Sequence, residues 1–439
     1  MKKVFYVMIL LAIVLAACAP TPSAPAEPAE PAEAESAEAE PAEAEPTGPV
    51  EISFWNIDDN WWDEYTAKFN EEHPDINVKL EVFETEPYKT KISSAMIAGT
   101  EPCIFYQIPG PETESWLEQG KIMKLDSLLD ADRFVPSARA GCSSNGDLVC
   151  LPFYLSPSYF YYNKAQFAEA GIDVQNWADP MTPTWEEFLA AGEAVKDAGY
   201  VPLAVGNADN WPGLFYYWAA QNRYGGLKEF NGAVSGTGSF TDPSFIKAGE
   251  VVQDLADRGF FPEGVNGIAG DAKYQLFIQE DASMIYMGTW MVENIKNGAA
   301  EGFEYGIFNF PSFADGDPDS QTDIMTGIDG AWVSASCPYP EAAAEYLKGF
   351  YEEKTALWFL EATGNIPSVA GVIESAKAAN LDTPAILLSE AAGTAAHAYP
   401  WWDWALAPAM SEEMLSMSQG LFEKSITPEE FAERVEAVR

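Results

Sequence analysis

An α/β protein of two lobes is the fold class this sequence predicts, on three observations. Short runs with strand alternation recur between stretches of helical periodicity, the pattern of a mainly parallel sheet covered on both faces. That pattern runs through residues 50–107, pauses at YLSPSYFYYNK (154–164) and resumes near residue 184, which indicates two sheets joined by a connector. The body from residue 49 to residue 439 is 391 residues long, ample for two lobes with their own cores.

Taken in order, VEISFWN (50–56) alternates like a strand. Trp62, Tyr65 and Phe69 then fall on one face of a helix that closes at HPDI, with Pro74 as its breaker. NVKLEVF (77–83) alternates again, and Tyr88, Ile92, Ala95 and Met96 mark a second helix ended by Gly99. CIFYQ (103–107), after Pro102, reads as a third strand. Further on, Thr184 and Glu187 form a capping box ahead of a helix to about Ala198. VPLAV (201–205) is a strand, and Asp242-Pro243 opens a helix to about Arg258. ASMIYM (282–287) is a buried strand that ends in a Gly288-Thr289-Trp290 turn.

Ahead of the body, Lys2 and Lys3 precede an apolar run, Val4 to Leu15, of signal-peptide length and short for a bilayer span. The run ends in Leu15-Ala16-Ala17-Cys18, which resembles the lipobox of bacterial lipoproteins. That resemblance implies a signal peptide over residues 1–17 and Cys18 as the lipidated first residue after cleavage. Ala19 to Gly48 is almost only Pro, Ala, Glu, Ser and Thr, with no large apolar side chain to offset the entropy of ordering. Residues 18–48 therefore read as a lipidated cysteine plus a disordered tether, able to reach roughly 90 Å in polyproline geometry. No later apolar stretch is long or uncharged enough to cross a bilayer.

The chain carries 24 basic and 68 acidic side chains, a net charge of −44. Removing residues 1–48 takes away two lysines and eight glutamates and leaves 22 basic against 60 acidic. Such a body repels nucleic acid and anionic lipid surfaces and disfavours phosphorylated or carboxylate-rich ligands. Solubility or a salty habitat accounts for the acidity without any ligand. Cys142 and Cys150 flank SSNGDLV, whose Asn145-Gly146 is a tight-turn signal, so a hairpin would bring them together. Cys103 and Cys337 remain as a second pair, although four cysteines allow three connectivities and spacing does not choose among them. No CxxC or paired histidine supports zinc.

Across nearly all of residues 50–435, a dozen pieces in order resemble the extracellular solute-binding proteins of family 1, which feed carbohydrate ABC importers and include the maltose-binding protein. They include FWN, FNEEHPDINV (69–78), SSAMIAGTEP (93–102), WLEQGKIMKLD (116–126), GDLVCLPF (146–153) and YNKAQFAEAGID (162–173). PTWEEF, LFIQEDASMIYMGTW (276–290), YGIFNFP (305–311), GNIPS (364–368) and TPEEFAERVEAV (427–438) continue the series. Two positions depart from the family pattern: Pro102-Cys103 stands for Pro-Asp, which favours a Cys103–Cys337 bridge, and Glu280-Asp281 stands for Gly-Lys. The resemblance implies a two-lobe periplasmic-binding-protein-like fold of type II, with a hinge of three chain crossings and a ligand cleft between the lobes. The crossings are expected near 153–158, 308–313 and 365–370. One lobe would combine 50–153 with 313–365, the other 158–308 with 370–439.

Catalysis has few candidates. Only two histidines exist, no GxSxG element accompanies His397, and no phosphate-binding GxxxxGK[ST] loop is present, so ATP hydrolysis would belong to another chain. Asp315, Asp317 and Asp319 have the alternate spacing of a calcium loop but lack its glycine and final glutamate, and Pro318 interrupts them. Paired carboxylates of a glycosidase cannot be singled out among 60 acidic residues. Catalytic residues, cofactors and metals are therefore expected to be none. A tethered glycoside hydrolase and a receptor for a non-sugar solute stand as alternatives.

Tryptophan is more informative. Fourteen are present, and several follow strands, where ligands of open α/β folds bind. Flat indoles cover the C–H faces of a sugar while Asn, Asp, Gln and Ser serve its hydroxyls. Trp290 matches the sugar-stacking tryptophan that follows the equivalent turn in the resembling family, and Trp211 sits where an aromatic contact residue follows its strand. Asn56 and Asp58 match the family's first-loop contacts, and Trp55 is a candidate where the first strand ends. Gln107, Ser156 and Asp329 are further polar candidates, and one of Trp401, Trp402 and Trp404 is expected to face ligand. Trp62 is left in the core. The resulting expectation is a monomeric lipoprotein, anchored to the membrane by lipid, that captures a carbohydrate by hinge closure and hands it to ABC permease subunits.

Overall fold

The computed structural model describes residues 48–57, 61–381 and 383–439. Two sheets organise it. In the first, Val50–Ile57 pairs in parallel with Ile76–Phe83 on one side and with Ile104–Gln107 on the other. Alternation along Val50–Ile57 puts Ile52 and Phe54 on a fully buried face. The helix Trp61–Glu72 covers that face with Trp62, Tyr65 and Phe69, and the Trp62 ring meets Phe54 edge-on at 4.9 Å. Helix Thr85–Ala98 returns the chain to Ile104–Gln107 and stops at Gly99, whose φ of 69° suits a residue without a Cβ.

The sequence pattern predicts a mainly parallel sheet, and here the structure differs. Beyond Ile104–Gln107 the sheet continues with Ile324–Val333, Leu151–Pro157 and Ile366–Pro367, each antiparallel to its neighbour, and Ala398–Tyr399 pairs with the start of Ile324–Val333. Strands from the far part of the chain thus complete a seven-stranded mixed sheet. Local periodicity reports that a segment is extended; it carries no information about a partner more than two hundred residues away.

The second sheet has four strands in the order Tyr305–Phe308, Tyr159–Asn163, Ala282–Met287, Val201–Leu203, and only the last pairing is parallel. Ala282–Met287 is buried at every position, as its unbroken apolar run predicts. The helix Trp185–Asp197 begins with the expected capping box, in which the Glu187 amide donates to Thr184 Oγ1 at 3.2 Å and the Thr184 amide donates to Glu187 Oε2 at 2.9 Å.

The segment 154–164 is not a loop between lobes. Leu151–Pro157 ends in the first sheet, Tyr159–Asn163 starts in the second, and Ser158 alone lies between. A second passage, residues 309–323, is held by the buried Arg223. Its guanidinium donates to the carbonyls of Phe310, Pro311, Ser320 and Asp323 at 2.8–3.1 Å, so a charge that burial alone would penalise keeps its donors satisfied. Gly226, with φ 63°, breaks the long helix Trp211–Ser235 beside this passage, and a Cβ there would meet Ser320 Oγ at 2.3 Å. After Ile366–Pro367, the helices Val372–Ala378 and Pro384–Ala392 still pack on Glu353–Thr363 and on the first sheet's edge strand. Only from Trp402–Ala405 and Pro408–Glu423 does the chain join the helices Trp211–Ser235 and Pro243–Asp257 that accompany the second sheet.

Two disulfides flank strands of the first sheet. Cys142 and Cys150, with Cα atoms 5.0 Å apart, close a two-residue hairpin in which Asn145 and Gly146 both have positive φ. Cys103 and Cys337, with Cα atoms 4.5 Å apart, join the starts and ends of the antiparallel neighbours Ile104–Gln107 and Ile324–Val333. Among the described residues, no helix is long and apolar enough to cross a membrane.

Candidate functional site

A cavity of about 400 Å³ opens between the two sheets. Ile57 and Tyr106 contribute to its wall from the first sheet at or near the ends of their strands, and Tyr154 and Asp329 from the middle of theirs. Trp211, Phe215, Trp290 and Glu293 contribute from two helices that begin at the cavity. Trp401 and Trp404 close it from the late segment that returns to the second sheet's helices.

Aromatic rings form the apolar part. Trp290 crosses Trp401 at 5.3 Å and 76°, and crosses Trp211 at 6.3 Å and 70°. Trp290 Nε1 donates to the Tyr274 hydroxyl at 3.1 Å, and Trp401 Nε1 to Ser158 Oγ at 3.4 Å, so both indoles are oriented by their polar edge. Glycine makes the arrangement sterically feasible. A Cβ at Gly288 would meet the Trp290 ring at 2.0 Å, and a Cβ at Gly327 would meet the Trp401 ring at 2.2 Å. The Gly288-Thr289 turn can therefore release Ala282–Met287 directly into a helix whose first side chain folds back over the turn.

The polar part is dominated by carboxylates. Asp329 accepts hydrogen bonds from the Tyr106 hydroxyl and, at 3.0 Å, from Ser156 Oγ. Burial pushes its carboxyl up to about 6, against the opposing pull of those two donors. Lys89 reaches Asp403 at 3.3 Å and Glu86 at 3.0 Å, with its ammonium 4.7 Å from the Trp404 ring centre. Burial depresses the Lys89 ammonium, yet the two carboxylates outweigh it and hold the lysine above its ordinary value. Asp403 is itself pushed up by burial, despite Lys89.

Of the residues singled out from the sequence, the structure brings together Trp211, Trp290, Asp329, Trp401 and Trp404, with Ser156 directly behind Asp329. Trp402 lies elsewhere. It is 1 % exposed and stacks on Phe230 at 4.5 Å, so it belongs to the core beneath the neighbouring indoles. Trp55 donates from Nε1 to Glu81 at 3.0 Å, lies under Lys91 and is not part of the cavity wall. Asn56 shares the buried face of Ile52 and Phe54, and its amide has no hydrogen-bond partner among the described residues. Gln107 is buried and donates to Glu112 at 3.1 Å, also away from the wall. Asp58 and Cys18 lie outside the described residues. Trp62 is fully buried.

Sequence reasoning missed Tyr106, Tyr154, Glu293 and the Lys89–Asp403 pair. Tyr106 sits in a run that reads as plain core strand, and Tyr154 opens the segment that reads as the connector between the sheets. Glu293 carried a usable signal, since it follows Trp290 by three residues on one helix and so shares its face. His397 Nδ1 lies 2.9 Å from Asp323 Oδ1, outside the cavity wall. In the acidic turn, Asp315 pairs with Lys247 at 2.7 Å and Asp317 accepts from Ser320 Oγ at 2.9 Å. Among the described residues, no group of three His, Cys, Asp or Glu side chains is placed to hold a metal ion.

Residues 55–356 match the bacterial extracellular solute-binding protein family. The chain belongs to this family. As a solute-binding protein it is 22 % identical to the multiple sugar-binding protein of Streptococcus mutans over 318 residues, covering 70 % of this chain and 71 % of that one. It is 24 % identical over 348 residues to the sn-glycerol-3-phosphate-binding periplasmic protein of Rhizobium meliloti, covering 75 % and 77 %. Among solved structures, a chitin oligosaccharide binding protein superposes with a TM-score of 0.79 at 25 % identity, covering 89 % of this chain and 98 % of that one. The solute-binding protein described here shares with it the two-lobe α/β fold of type II periplasmic binding proteins.

Proposed function

We propose that this solute-binding protein captures a mono- or oligosaccharide between its lobes and presents it to the permease of an ABC importer. The observation that carries this reading is the set of crossed indoles, Trp211, Trp290 and Trp401, beside a carboxylate-rich wall in a cavity fed from both sheets. A sugar offers apolar C–H faces to the rings and hydroxyl donors to the carboxylates, and binds without covalent chemistry. Relatives named for multiple sugars and for chitin oligosaccharide support the same class of ligand. Two or three ring contacts at ~1 kcal/mol each, with several hydrogen bonds, supply the ~8 kcal/mol of a micromolar site.

In this reading, ligand favours the closed form because only there do both lobes touch it. The lobes are 50–153 with 313–365 and 158–308 with 370–439, except that the helices of 372–392 travel with the first lobe on which they pack. Residues 1–17 are a signal peptide, Cys18 carries the lipid, and 18–48 is the tether of a monomeric receptor that has no catalytic role of its own.

The test is a thermal-shift panel on the purified protein with xylobiose, N,N′-diacetylchitobiose, galactose and raffinose, set against amino acids and sn-glycerol 3-phosphate. A bound sugar at a hundred times its Kd should add about 2.7 kcal/mol of stability. A shift with amino acids or glycerol phosphate, and with none of the sugars, would refute the carbohydrate assignment.

A further inference from the structure

Glu293 lies one helical turn after Trp290 in the helix Trp290–Gly298 and lines the cavity beside Asn294 and Asn297. Several of the polar groups around it are engaged. Trp290 Nε1 donates to Tyr274, Asn294 Nδ2 donates to the Trp290 carbonyl at 3.1 Å, Asp329 accepts from Tyr106 and Ser156, and Asp403 holds Lys89. Glu293 is half-buried, yet it makes no hydrogen bond or ion pair with any described residue. Burial pushes its carboxyl upward, which Lys296 only partly offsets. A carboxylate withdrawn from water without a partner is costly, and that cost is recovered when a ligand supplies donors. An ionised carboxylate only accepts, through two oxygens, so adjacent hydroxyl groups match it and a second anion does not. The one base among the described residues of the wall, Lys89, is already held by Glu86 and Asp403, while Asp271 adds another acidic group at the rim.

We propose that Glu293 determines the ligand class of this cavity: its carboxylate accepts a pair of hydroxyl hydrogens from a neutral sugar resting on Trp290, and it excludes phosphorylated and uronic ligands. This rests on the carbohydrate reading above and narrows it. It also separates this chain from a relative named for binding sn-glycerol 3-phosphate, a distinction that family membership does not draw.

Isothermal titration of the full chain and of Glu293→Gln and Glu293→Asp tests the assignment. The neutral probes are those of the panel; the anionic probes are glucuronate, galacturonate and sn-glycerol 3-phosphate. Glu293→Gln keeps the shape and removes the charge. It should weaken the tightest neutral probe at least tenfold, narrow the preference for neutral over anionic probes, and leave the melting temperature of the free protein within a degree or two. Glu293→Asp keeps the charge and should retain the exclusion of anions while losing part of the affinity. Unchanged neutral affinity in Glu293→Gln, or an anionic probe that binds the unaltered protein as tightly as any neutral one, overturns the role of Glu293 with the carbohydrate reading intact. Absence of binding by every neutral probe to the unaltered protein overturns the carbohydrate reading itself.

Discussion

Replacing Trp290 by alanine removes a side chain that borders the cavity on one face and braces two other indoles on its edges. A sugar ring laid on one indole face removes on the order of 60 Å² of apolar surface from water, roughly 1.5 kcal/mol at ~25 cal/mol per Å². The ring contact itself adds ~1 kcal/mol. Together they amount to about 2.5 kcal/mol, an increase in Kd of roughly 60-fold. The substitution also forfeits the edge contacts with Trp401 at 5.3 Å and Trp211 at 6.3 Å and the hydrogen bond to Tyr274, so the free protein should lose ~1–2 kcal/mol and melt a few degrees lower. Titration calorimetry with the tightest sugar of the panel measures the first effect, and a thermal melt without sugar the second. An affinity within threefold of the unaltered protein, alongside the lowered melt, would show that Trp290 only packs and that ligand does not rest on it.

Two further predictions concern stability. Burial holds the Asp329 carboxyl at about 6, above its ordinary value near ~3.9, so the folded protein binds that proton more tightly than the unfolded chain does. Its contribution is therefore present at low pH and is lost as pH rises from about 4 to about 6, by up to ~3 kcal/mol. Asp329→Asn should accordingly gain stability relative to the unaltered protein between pH 4.5 and pH 7.5, and an identical difference in urea melts at both pH values would contradict this. The Cys103–Cys337 bridge closes a separation of 234 residues and the Cys142–Cys150 bridge one of 8. In the chain-entropy view, the paired serine variant of the first should lose about 5 kcal/mol and that of the second about 2.5 kcal/mol. Equal losses in denaturant titrations would mean that loop length does not govern these bridges.

Much of the local structure is legible from the residues alone. The strands Val50–Ile57, Ile76–Phe83 and Ala282–Met287, the capped helix Trp185–Asp197 and the Asn145-Gly146 hairpin all appear where period, capping and turn chemistry put them. The positions of Trp290, which follows the strand Ala282–Met287 after a two-residue turn, and of Trp211, which opens a helix after the loop that follows Val201–Leu203, could also be read as cavity walls, because a residue that opens a helix beyond a strand's carboxyl end projects into the cleft. Less accessible was the difference between Trp401 and Trp402. Adjacent residues at a helix start differ in direction by about a third of a turn, and which one meets solvent depends on what packs behind, here Phe230 against Trp402 and the clearance at Gly327 for Trp401.

The sequence by itself determined the alternation of elements, the two-lobe class, the wealth of indoles and the acidic balance, since each is a property of residue type and spacing within a short window. Tertiary structure alone decided the mixed order of the first sheet, the single-residue passage at Ser158, the stitching of residues 309–323 by Arg223, and the meeting of Tyr106, Ser156 and Asp329. Those features join segments that lie up to two hundred residues or more apart. Their pairing follows from shape, burial and hydrogen-bond satisfaction in the assembled body, and no local pattern encodes it.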